Sequence, residues 1–91
     1  MKISDKRLKR LTSQWNPEMV VHVRYTTKYS KGQMTFSIAF FLEFYLMIQK
    51  MFKGCEIREL YIKNENLGIV TKYFQSFPDL WFYAIGEKYE H

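Results

Sequence analysis

The sequence predicts a small α+β domain: a four-stranded mixed sheet with helices packed on it, in the order α-β-β-α-β-α-β. Three observations carry this. Residues 19–41 alternate apolar and polar side chains around a glycine-containing turn, the pattern of a β-hairpin. Residues 5–14 and 41–53 place their apolar side chains at helical spacing instead. The connections between these stretches are too short to separate domains, so all 91 residues form one unit.

Ser4 is placed to cap a helix over Asp5–Gln14, with Ile3 and Leu8 at the two positions of a hydrophobic staple. Leu8, Leu11 and Trp15 form the apolar stripe. Lys6, Lys9 and Arg10 lie away from it. Asn16-Pro17 stops the helix, because a residue before proline disfavours helical dihedrals.

The hairpin follows. Residues 19–29 are rich in β-branched and aromatic types, Ser30-Lys31-Gly32-Gln33 is the turn, and residues 34–41 return. A two-residue loop at Lys31-Gly32 pairs Tyr29 with Met34 and Tyr25 with Ile38. One face then holds Val21, Val23, Tyr25, Tyr29, Met34, Phe36, Ile38 and Phe40. The other holds His22, Arg24, Thr26, Lys28, Thr35, Ser37 and Ala39. A one-residue slip would scramble this sorting.

From Phe41 to Lys53 the period becomes helical, with Gly54 as the cap. Leu46 and Met47 fall near its polar side, which makes this helix apolar around most of its circumference. Such a helix is buried on several sides or belongs to an interface. Cys55–Lys63 reads as a strand. Asn64 and Glu65 suit a helix start, with Leu67, Val70 and Phe74 inward; a hairpin through Asn66-Leu67-Gly68 is the alternative. Pro78 ends that segment. Leu80–Ile85 is apolar on both faces, as in a central strand, and Glu87–His91 is a polar tail.

Composition narrows the function classes. The chain is 47% hydrophobic and 19% aromatic, far from the signature of disorder. Cys55 is the single cysteine, so no intrachain disulfide forms, and no apolar stretch follows the basic start to make a secretory leader. The longest apolar run, Met34–Ile48, is interrupted by Glu43 and falls short of the ~20 residues of a membrane span. These features place the protein in a reducing, cytoplasm-like compartment, off the membrane.

Chemistry-bearing motifs are missing. One cysteine, an interior His22 and a terminal His91 make no zinc site without carboxylates, so no metal is expected. No glycine-rich phosphate loop occurs, and no cofactor is implied. The acidic residues follow no nuclease pattern. We therefore expect no enzyme. The remote exception is a metal-independent ribonuclease, of the kind found among small basic toxins, using His22 with Arg24 and a tyrosine.

The surface remains. The net charge of +5 is uneven: residues 1–10 carry Lys2, Lys6, Arg7, Lys9 and Arg10 against Asp5, a net +4. His22, Arg24 and Lys28 alternate along one strand as a ladder of phosphate contacts about 7 Å apart, with Lys31 at the hairpin tip. If the last strand sets Trp81 and Tyr83 beside Arg24, rings and cations make a stacking platform for single-stranded nucleic acid. Two functions follow. One is a non-enzymatic nucleic-acid-binding module using His22, Arg24, Lys28 and Lys31 with the basic helix residues Lys6, Lys9 and Arg10. The other is a small protein-binding accessory or inhibitor, of the sort mobile elements encode, or a homodimer, working through Leu46, Met47, Trp81 and Tyr83. Against both stands an ordinary solvated surface with the aromatics in the core.

Overall fold

Capping side chains decide where the helices begin. The computed structural model describes residues 3–86. In α1 (Asp5–Gln14) the Ser4 hydroxyl accepts the Arg7 N–H at 3.2 Å. Strands β1 (Met19–Thr26) and β2 (Lys31–Ser37) follow. Ser37 then caps α2 (Ile38–Glu43), its hydroxyl accepting the Phe40 N–H at 3.0 Å. A backbone break at Phe44 separates α2 from α3 (Tyr45–Met51). Next come β3 (Glu56–Asn64), β4 (Ile69–Tyr73) and α4 (Phe77–Ala84). The sheet order is β2-β1-β3-β4, and every pairing is antiparallel.

The α+β class and the four-stranded sheet match the sequence reading, but the final third corrects it. Residues 65–75 are not a helix; the alternative, a hairpin through Asn66-Leu67-Gly68, is what forms, joining β3 to β4. Asn64 Oδ1 does accept the Leu67 N–H at 3.0 Å, as a cap would. Gly68, at φ +68°, then turns the chain back, and Ile69-Val70-Thr71 continues as a strand. Leu80–Ile85 is not a strand. Ser76 accepts the Asp79 N–H at 3.3 Å and Pro78 sits in the first turn, so proline starts this helix rather than ending a segment. Phe77, Leu80, Trp81 and Ala84 are buried at helical spacing. With that strand gone, no helical crossover links parallel neighbours, which is why the sheet is antiparallel rather than mixed. The polar tail Glu87–His91 lies outside the described residues.

The hairpin register also differs. Residues 27–30 form the connection, and Tyr25 faces Gly32 instead of Ile38. Six positions separate these partners, an even number, so the sorting onto two faces survives for the residues that stay in the strands, while Lys28, Tyr29, Ile38, Ala39 and Phe40 lie outside them. The helix after β2 starts at Ile38 rather than Phe41, because Ser37 caps it. No proline or glycine marks the break at Phe44.

Val21, Val23, Leu60 and Ile62 project from one sheet face and are at most 1% exposed. All four helices contribute to the cluster over them, through residues such as Leu11, Phe41, Ile48 and Leu80. Much of the aromatic surplus is spent here. Tyr45 stacks on Trp81 at 4.5 Å, and Phe52 meets Phe77 at 5.3 Å. Trp15 Nε1 donates to the Ala84 carbonyl at 2.9 Å, tying α1 to the end of α4. Because every helix packs against this face, the opposite face is left open.

Candidate nucleic-acid interface

The period of two in β1 and β3 sends His22, Arg24, Glu59, Tyr61 and Lys63 to the open face, opposite Val21, Val23, Leu60 and Ile62. Pairing aligns them into rows across the sheet. His22 lies between Thr35 on β2 and Tyr61 on β3, and Tyr61 faces Tyr73 on β4. Arg24 lies between Gln33 and Glu59.

The first row is a continuous band of rings. The His22 and Tyr61 rings stack with centroids 4.9 Å apart and planes 11° from parallel. Tyr73 meets Tyr61 edge-on at 5.1 Å. At the other end, His22 Nδ1 is 3.1 Å from Thr35 Oγ1. Tyr73 is 60% exposed. In the second row Arg24 Nε donates to Glu59 Oε1 at 3.0 Å.

Electrostatics keep the inner rings neutral. Partial burial, and then the charge of Lys63, hold the His22 imidazole below its usual pKa of 6.5, against an opposite pull from Glu59. Tyr61 is pushed above its ordinary value of 10.0 by burial and by Glu59. At neutral pH the stacked His22–Tyr61 pair is thus uncharged, with cations beside it. Such a surface can stack a planar ligand while Lys63 and Arg24 hold an anion.

The residues singled out in the sequence divide between places. His22 and Arg24 share the open face. Lys31 opens β2, and Lys28 is not on the face ladder: it lies in the hairpin connection, its ammonium 5.6 Å above the Tyr29 ring. Lys6, Lys9 and Arg10 are exposed on α1, in the helical layer, so the sheet separates them from His22. Trp81 is only 4% exposed, because residues 80–84 follow a helical period and turn it into the core. Tyr83 is 42% exposed on α4, with the Lys72 ammonium 5.1 Å from its ring. Neither flanks Arg24. Leu46 and Met47 are exposed on α3 at 70% and 45%. They join Met34, Phe40, Phe44 and Met51 in an exposed apolar strip. Cys55 is a half-buried free thiol against the core.

Sequence reasoning missed Tyr61, Lys63 and Tyr73. The signal was there in Glu59-Leu60-Tyr61-Ile62-Lys63, whose alternation sends Leu60 and Ile62 one way and Tyr61 the other. Among the described residues no group of three or more His, Cys, Asp or Glu is placed to hold a metal ion. Among them, too, no helix is long and apolar enough to cross a membrane. No protein-family model, curated protein or solved structure matches the chain.

Proposed function

We propose that this domain is a non-enzymatic module that binds single-stranded nucleic acid on its open sheet face. One observation carries the reading: the row of rings Tyr73–Tyr61–His22 lies across an uncovered sheet and is bordered by Lys63 and Arg24. His22 and Tyr61 cover one face of each other, so the ring face left for a base is chiefly that of exposed Tyr73 at the end of the row; base faces are free in a single strand and occupied in a duplex. The cations take the phosphates, which run alongside the bases. The site is not the platform the sequence suggests: β3 and β4 supply the rings, and the basic helix α1 takes no part in it. Fluorescence anisotropy with a labelled single strand and the matched duplex tests the reading. The single strand should bind, the duplex much less, and binding should weaken as salt rises. Equal affinity for both would overturn it.

A second reading rests on the apolar strip. Phe40 and Phe44 are 38% and 40% exposed with rings 4.8 Å apart, and Met34, Leu46, Met47 and Met51 extend the strip. Beside it runs β2, an edge strand that is uncharged from Gly32 to Ser37. Edge strands of this kind pair readily with another strand. An uncharged strand can pair antiparallel with its own copy, so the partner we assign to the strip is a second copy of this chain. Sedimentation across a concentration series checks it: the wild type should dimerise and Leu46→Lys/Met47→Lys should not.

A further inference from the structure

Beyond the ring row, at the end of the sheet near the hairpin connection, lies an open hollow of ≈570 Å³. Arg24, Thr26, Lys31, Gln33 and Arg58 line it with side chains able to donate hydrogen bonds, and no carboxylate residue lines it. Arg58 is there because of a register shift. Arg24 pairs with Glu59 but its neighbour Tyr25 pairs with Ile57, so Arg58 is the extra residue of a β-bulge. Bulges of this kind re-aim a side chain, and here the bulge brings a third cation beside Arg24 and Lys31.

The cations are not consumed by their neighbours. Arg24 meets Glu59 through Nε, and Arg58 meets Glu56 through one Nη at 3.3 Å. Each guanidinium carries five N–H donors, so most remain available. Lys31 has no carboxylate partner among the described residues. Arg24 also joins the hollow to the ring row, since it lies two residues from His22 on the same face of β1. A phosphate held here would belong to a strand already stacked on the rings.

We infer that this hollow is a subsite for the terminal phosphate of the bound strand. The inference rests on the single-strand reading above. Two features favour a terminal monoester over an internal diester. The hollow is the size of a small-ligand site, roughly 300–1,000 Å³, rather than of one backbone contact. A monoester also offers three terminal acceptor oxygens where a diester offers two, which suits the guanidinium N–H donors that Glu59 and Glu56 leave free beside the Lys31 ammonium.

The test compares one short oligonucleotide in three forms: 5′-phosphorylated, 3′-phosphorylated and unphosphorylated. A phosphate at one end should tighten binding about tenfold, and a phosphate at the other end should not. Arg58→Gln and Lys31→Gln should each erase most of that gain while leaving the unphosphorylated strand nearly unaffected. Both side chains are exposed, so circular dichroism should report an unchanged fold. Equal affinity for all three forms would overturn the subsite, as would a gain that survives both substitutions. Those results leave the stacking reading intact provided that Tyr61→Ala still weakens the unphosphorylated strand. If no form binds the wild type, the stacking reading fails and the subsite with it.

Discussion

Replacing Tyr61 by alanine tests the central claim directly. Tyr61 stands between His22 at 4.9 Å and Tyr73 at 5.1 Å, so its loss breaks the ring row in the middle. Base–aromatic stacking is worth about 1–3 kcal/mol per base, which corresponds to roughly five- to 150-fold in affinity. Tyr61 carries no cation, so the salt dependence should not change. Lys63→Gln should instead weaken binding and change its salt dependence. For a single strand the slope of log affinity against log salt is about −0.7 per phosphate contact, so losing one contact should flatten it by about 0.7. With the two contacts of Lys63 and Arg24, a fourfold rise in salt should weaken the wild type roughly sevenfold. Fluorescence anisotropy at several salt concentrations measures both quantities. Truncation also removes cross-strand pairs worth roughly 0.2–1 kcal/mol each, so a thermal melt must confirm that the variant is folded. Tyr61→Leu keeps an apolar side chain on the sheet and removes only the π face. If Tyr61→Ala and Tyr61→Leu both bind within twofold of the wild type, the ring row is not a stacking platform.

Two other outcomes follow from the same geometry. A Cβ added at Gly32 would lie 2.8 Å from the Tyr25 hydroxyl, and the Tyr25 ring is braced edge-on against Phe52 at 5.0 Å. Gly32→Ala should therefore destabilise by about 1–3 kcal/mol, as overpacking does. The melting temperature should fall by about 4–8 °C per kcal/mol, and an unchanged melt would show that the ring is not fixed there. His22 has a folded-state pKa below 6.5, so the folded protein binds fewer protons than the unfolded chain between that pKa and 6.5. Its contribution to stability is fully present above pH 6.5 and is lost as the pH falls through the folded value. Urea melts between pH 7.5 and 5 should show this loss, and His22→Gln should flatten that part of the profile.

The legible parts of the fold are those where local chemistry and tertiary context agree. The β1–β2 hairpin shows its faces in the sequence because alternation survives a shift of register by an even number. The helix α1 shows its start in Ser4 and its end in Asn16-Pro17. The last third misleads because its signals are shared between alternatives. Asn64 accepts the same hydrogen bond at a turn as at a helix start, and only Gly68 and the β-branched run beyond it choose the strand. Pro78 opens a helix as readily as it closes a segment, and the serine two residues before it decides. An unbroken apolar stretch such as Leu80–Ile85 has no strand period to detect. The error carried over to the site. Rings assigned to the last segment were aimed at Arg24, whereas the rings that share its face come from β3 and β4. Pairing between distant strands put them there, and no local pattern encodes that.

The ring row admits an explanation from stability alone, and its weight can be judged residue by residue. Aromatic pairs across strands stabilise sheets, so His22–Tyr61–Tyr73 could serve only to hold β1, β3 and β4 together. For Tyr61 this has force, because it contacts rings on both sides. It weakens at Tyr73. That ring is 60% exposed, meets a single neighbour edge-on, and belongs to an edge strand on which no residue is buried. A solvated sheet face needs only polar side chains there. An exposed ring at the end of a ring row, with cations beside the row, gains little for the fold and presents a π face to whatever approaches. Packing accounts for the inner rings of this row and for less of the outermost one, the ring that the proposed single strand would use.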